Sequence, residues 1–125
     1  MNSVVHFEIP ADDFERAHEF YREAFGWQIQ HMPDMQYTMV GTTESNEQGM
    51  PINPGSINGG IGKRQAPFAE HPVITIGVDD IDKSLERIGS LGGATVSEKF
   101  AVGDMGWAAY FKDSEGNVVG LWQNA

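Results

Sequence analysis

Hydrophobic positions along this chain change their spacing in a regular order. Val4 to Ile9 (VVHFEI) is a short run of strand formers. Phe14, Ala17, Tyr21, Ala24 and Phe25 then fall on one helical stripe. Asp12 opens that predicted helix, with capping-box spacing to Glu15. Asp13 adds negative charge at the positive end of the helix dipole, and Gly26 stops the helix. Trp27 to Met32 and Gln36 to Val40 read as two strands around a Pro33-Asp34 turn. The polar stretch 41–56 is long for a connector and reads as a functional loop that could gate a pocket. Ile57 to Lys63 (INGGIGK) closes the series as a strand weakened by glycine.

The series then starts again. A link over 64–72 leads to a strand at Val73 to Val78 and a helix capped by Asp79, with Ile81, Leu85, Ile88 and Leu91 as its stripe. Gly92 and Gly93 stop it. Strands at Thr95 to Phe100, Trp107 to Lys112 and Val118 to Gln123 follow, the last two joined by a tight DSEGN turn. The two halves align without a gap at an offset of 67 residues: Ile9 falls on Ile76, Asp12-Asp13 on Asp79-Asp80, Glu19 on Glu86 and Gly26 on Gly93. A repeat this long is one supersecondary unit used twice, strand-helix-strand-strand-strand each time. The chain is thus an α+β protein with a single domain over 1–125, module one about 1–66 and module two about 67–125. The surface between two such half-domains is the expected place for a pocket.

Composition narrows the function classes. At 125 residues with 40% hydrophobic content, one ordinary globular core is expected. A net charge of −10 without a basic stripe argues against nucleic acid and against an anionic membrane surface, and it suits a cationic ligand. No apolar run approaches the length of a membrane span, and the first residues lack a signal-peptide pattern. The absence of cysteine removes disulfides, thiol nucleophiles and zinc-thiolate sites, which fits a cytoplasmic protein.

The phrases DDFERAHEFYREAFGW, VDDID and YFKDSEGNVVGLW, in this order and within this repeat, resemble the vicinal oxygen chelate superfamily. That family includes glyoxalase I, bleomycin-resistance proteins, extradiol dioxygenases and methylmalonyl-CoA epimerase. The resemblance covers essentially the whole chain. It implies two βαβββ modules curled into a cupped mixed sheet around a central cavity, often in a homodimer. It also implies ligand positions on the first and last strands of each module in the metal-dependent members. Those positions fall on His6 and Val73, on Gly59 or Gly60, and on Gly120.

That set does not hold a divalent ion, which needs at least three protein ligands. His18 lies on the helix stripe and reads as a packed residue, while His31 and His71 read as solvated. Glu8 is the one acid at a helpful spacing: strand alternation puts His6 and Glu8 on one face if Phe7 and Ile9 pack under the helix. No metal and no cofactor are therefore expected. On the middle strand of module one, Tyr37 and Met39 or their neighbours Thr38 and Val40 face the cup. In module two, alternation allows either Trp107 or Tyr110. The pocket set reads His6, Glu8, Gly60, Val73, Thr75, Trp107, Gly120 and Trp122, with glycines letting a ligand approach the sheet.

The expected function is a metal-free small-molecule binder, with an organic partner in an apolar, aromatic cup. The alternative is an enzyme of glyoxalase, epimerase or dioxygenase type. It would use His6 and Glu8 as catalytic residues for proton transfer, or a metal site of unfamiliar composition. A third reading is an interaction module whose exposed sheet edges are covered in a homodimer.

Overall fold

The computed structural model describes residues 1–65 and 70–125; of the predicted link over 64–72, residues 66–69 lie outside the described residues. Eight strands and two α-helices follow in the order β1 (Val4–Ala11), α1 (Phe14–Phe25), β2 (Gln28–Met32), β3 (Tyr37–Gly41), β4 (Gly59–Lys63), β5 (Val73–Gly77), α2 (Ile81–Ser90), β6 (Ala94–Val102), β7 (Gly106–Lys112) and β8 (Val118–Asn124). The order is βαβββ twice, in the α+β class. The chain divides into two compact units: an N-terminal unit, His6–Pro72, and a C-terminal unit, Val73–Ala125 with Met1–Val5.

In the N-terminal unit, β1 runs parallel to β4, β4 antiparallel to β3, and β3 antiparallel to β2. The register sorts side chains by face. Phe7, Ile9, Ala11, Val40 and Ile61 join Phe14, Ala17, Tyr21, Trp27 and Ile29 in one apolar cluster under α1. His6 and Glu8, which alternate with Phe7 and Ile9, therefore belong to the helix-free face. Opposite Glu8 in the register stand Gly60, then Met39, then Gln30.

The C-terminal unit repeats the plan: β5 is parallel to β8, β8 antiparallel to β7, and β7 antiparallel to β6. Ile81, Ala109, Phe111, Val119 and Leu121 form its core, with Ile76, Val78, Leu85 and Ile88 packed on it. Burying each of the larger aliphatic side chains contributes about 1.5–3 kcal/mol. Thr75, Gly120 and Tyr110 share one row of the opposite face, and Gly77, Trp122 and Ala108 share the next.

Both helices begin one residue later than the sequence suggests. The caps are Asp13, whose carboxylate accepts from Arg16 N at 3.0 Å, and Asp80, which accepts from Lys83 N at 3.0 Å. Asp12 instead meets Arg64 at 3.1 Å. Gly26 ends α1 with φ 70°, a conformation that favours glycine. The α1 stripe is narrower than expected, because Phe25 is 63% exposed and stacks on the outside against Tyr21 and Trp27.

The stretch 41–56 folds on itself. Asn46 accepts from the backbone N–H groups of Gln48 and Met50, and Ser45 bridges Pro51. Asn58, at the foot of β4, fastens this loop by accepting from Thr42 N at 2.9 Å and donating to Ser45 Oγ at 2.8 Å. Among the described residues, no helix is long and apolar enough to cross a membrane.

Candidate functional site

The helix-free face of the N-terminal unit brings three of the sequence-selected residues together: His6, Glu8 and Gly60. Tyr37 organises them. Its hydroxyl lies 2.9 Å from His6 Nε2, and its ring lies over Gly60 so closely that a Cβ there would collide with the phenol. Gly60 is thus a seat for the Tyr37 ring rather than an opening for a ligand. The sequence left two phases open for β3; the register with β4 selects Tyr37 and Met39, and turns Thr38 and Val40 toward the helix.

Burial dominates the electrostatics of His6. Desolvation lowers its pKa to about 4, so the ring is neutral near pH 7. A neutral imidazole and a phenol share one bond in either sense: the hydroxyl donates to a bare Nε2, or a protonated Nε2 donates to the hydroxyl. Glu8 is 7% exposed and has an interaction partner of its own.

The C-terminal unit carries the remaining selected residues on its own strands. Val73 and Thr75 alternate along β5, and Gly120 and Trp122 along β8. Thr75 pairs with Gly120, and Gly120 pairs with Tyr110. A Cβ on Gly120 would lie 2.7 Å from Thr75 Oγ1, so this glycine too is covered by a hydroxyl-bearing neighbour. Trp107 does not join the set. Its strand partner is Gln123, and alternation puts it on the face of Ala109 and Phe111, toward α2. There it is 37% exposed, with Lys99 Nζ 5.0 Å from its ring and Lys99 also bridged to Asp82 of α2. Tyr110, stacked on Phe100, takes the place assigned to Trp107.

Under α1 lies a polar cluster with no counterpart in the sequence-based expectation. Thr38 Oγ1 lies 2.6 Å from His18 Nε2 and 2.8 Å from His31 Nδ1. One hydroxyl can donate to one ring and accept from the other. Burial, then the neighbouring His31 and Arg22, lower the pKa of His18 against the opposing pull of Glu15. His18 is packed, as its stripe position suggests, while His31 is exposed yet bonded. The signal was in the hairpin: the turn at Pro33-Asp34 pairs His31 with Thr38.

The metal-dependent members of the resembling family imply a divalent ion, and the residues here do not fit one. His6 Nε2 faces a phenol, Gly60 and Gly120 carry no donor, and Val73 is an aliphatic side chain buried on its strand. Among the described residues no group of three or more His, Cys, Asp or Glu could hold an ion. Two surface clefts, of about 280 and 300 Å³, lie elsewhere. One, between α2 and β6, is lined by Asp82, Leu85, Glu86, Thr95 and Glu98; the other surrounds the start of α1, near Asp13, Arg16 and Arg64. Neither includes a residue selected from the sequence.

Comparison with known proteins agrees with this architecture. The bleomycin resistance protein-like N-terminal family matches residues 3–43. A glyoxylase-like domain-containing protein of Didymella fabae is 31% identical over 115 residues, spanning 89% of this chain and 85% of its own length. The putative glyoxylase CFP32 of Mycobacterium bovis is 28% identical over 93% of this chain; the chain spans only 43% of that longer protein. Among solved structures, a methylmalonyl-CoA epimerase in complex with methylmalonyl-CoA and NH4+ superposes with a TM-score of 0.68 at 17% identity, over 100% of this chain and 96% of the epimerase. The fold and these relatives define a protein built from paired βαβββ modules. The chain belongs to the glyoxalase/bleomycin resistance/dioxygenase family, the vicinal oxygen chelate superfamily.

Proposed function

We propose that this protein binds a small organic molecule on the helix-free faces of its sheets, without a metal ion. The observation that carries the reading is the Tyr37 phenol over Gly60, hydrogen-bonded to a neutral His6. A family position that would need a charged or imidazole ligand is filled by an uncharged hydroxyl. The methionine and amide side chains of the same register row, Met39 and Gln30, give this face the mixed apolar and polar character of a small-molecule site. A His6–Glu8 proton-transfer enzyme is the alternative. A ring with a pKa of about 4 has no proton to give as a general acid at pH 7 and is a weak base.

The test is a thermal-shift screen in the presence of EDTA. The panel includes methylmalonyl-CoA, which the epimerase structure contains, and bleomycin. The reading expects at least one compound to stabilise the wild type and to bind more weakly to Tyr37→Phe. A panel with no stabilising compound would contradict it. The homodimer suggested by the resemblance is part of the same proposal, and light scattering at increasing concentration reads it directly.

A further inference from the structure

The row Thr75–Gly120–Tyr110 in the C-terminal unit holds an anomaly. Thr75 is 5% exposed, and its Oγ1 has no hydrogen-bond partner among the described residues. Folded proteins pair nearly all such groups, because a buried hydroxyl without a partner forfeits its hydration. Valine has almost the same shape and no hydroxyl, and Val73, two residues away on the same face, shows that this face accepts it fully buried. The hydroxyl also depends on a second residue. Gly120 makes room for it: the hydroxyl fills the space that a Cβ at residue 120 would take, only 2.7 Å from that position. Two positions on two strands thus combine to keep a buried hydroxyl without a hydrogen-bond partner among the described residues.

We propose that Thr75 Oγ1 is a binding group that donates a hydrogen bond to an uncharged carbonyl oxygen of the ligand. This inference rests on the small-molecule reading above and names the ligand chemistry for this unit. A carbonyl suits the row better than a carboxylate. Val73, Gly120 and Tyr110 bring no positive charge to Thr75, and burying an unpaired anion there is far more costly than burying a ketone or ester oxygen. A structural water is the competing occupant, and it would need two or more polar partners.

The experiment compares wild type, Thr75→Val and Thr75→Ser in two measurements. The first is the ligand-free melting temperature. The second is affinity for acetophenone and for ethylbenzene, shape-matched probes with and without a carbonyl, by ligand-observed NMR titration. The proposal expects Thr75→Val to melt about 3 °C higher, because the unpaired hydroxyl is gone. It expects wild type and Thr75→Ser to prefer acetophenone by about fivefold, the worth of one neutral hydrogen bond, and Thr75→Val to lose that preference. A lower melting temperature for Thr75→Val would assign the hydroxyl to a structural partner and overturn the proposal. So would an unchanged carbonyl preference in Thr75→Val, or a wild type that binds other compounds of the screen but shows no carbonyl preference. A wild type that binds nothing in either panel would instead bring down the small-molecule reading itself.

Discussion

Gly60 and Tyr37 are a single structural decision made at two positions. The phenol reaches His6 only because residue 60 has no side chain, so Gly60→Ala forces the ring away. We expect Gly60→Ala to cost about 1–3 kcal/mol, as overpacking does. The cost should shrink in the Tyr37→Ala background, giving a coupling of at least about 0.5 kcal/mol in a urea-denaturation cycle. Additive effects would mean that the two residues do not share the space. His6 yields a second prediction at this scale. Its folded pKa, about 4, lies below the unfolded value of 6.5, so the unfolded chain binds the proton more readily. The stability that His6 contributes is complete above pH 6.5 and is lost as pH falls toward 4, up to about 3 kcal/mol. His18 shifts in the same direction, so the comparison is with His6→Gln, whose stability curve should be flatter between pH 4 and 6.5. Parallel curves would contradict a buried neutral imidazole.

At the scale of elements, the helix starts separate two neighbouring aspartates at each end. Only Asp13 and Asp80 have the extended backbone and the side-chain bond of a cap. Asp13→Ala and Asp80→Ala should each cost about 1 kcal/mol, and Asp12→Ala and Asp79→Ala a few tenths. Equal losses within a pair, measured by chemical denaturation, would return the cap to the position the sequence suggests. A doubled aspartate satisfies capping rules in two registers, and the choice falls to tertiary surroundings: Arg64 engages Asp12 at 3.1 Å. Element order, the inner positions of both helix stripes and the His6/Glu8 alternation were readable because each follows from spacing alone, whereas Phe25 and Leu91, at the stripe ends, are exposed. The phase of β3 and β7 was not, because it depends on register with β4 and β8. That register puts Tyr37 beside His6 and Tyr110, rather than Trp107, beside Gly120. The roles of Gly60 and Gly120 were hidden for a related reason: a glycine in a strand does not announce which neighbour fills its space.

For the molecule as a whole, the internal repeat was visible as a 67-residue offset, and it reappears as two units of like topology. In both units a last-strand glycine is covered by a hydroxyl-bearing residue, Tyr37 in one and Thr75 in the other. The proposed metal-free reading therefore rests on both units rather than on one position. Metal content of the purified, tag-free protein tests this most directly, measured by elemental analysis after soaking with Mg²⁺, Mn²⁺, Co²⁺, Ni²⁺ and Zn²⁺ and extensive dialysis, beside His6→Gln. The account predicts no stoichiometric ion and no difference between the two proteins. Near-stoichiometric metal in the wild type that disappears in His6→Gln would contradict it.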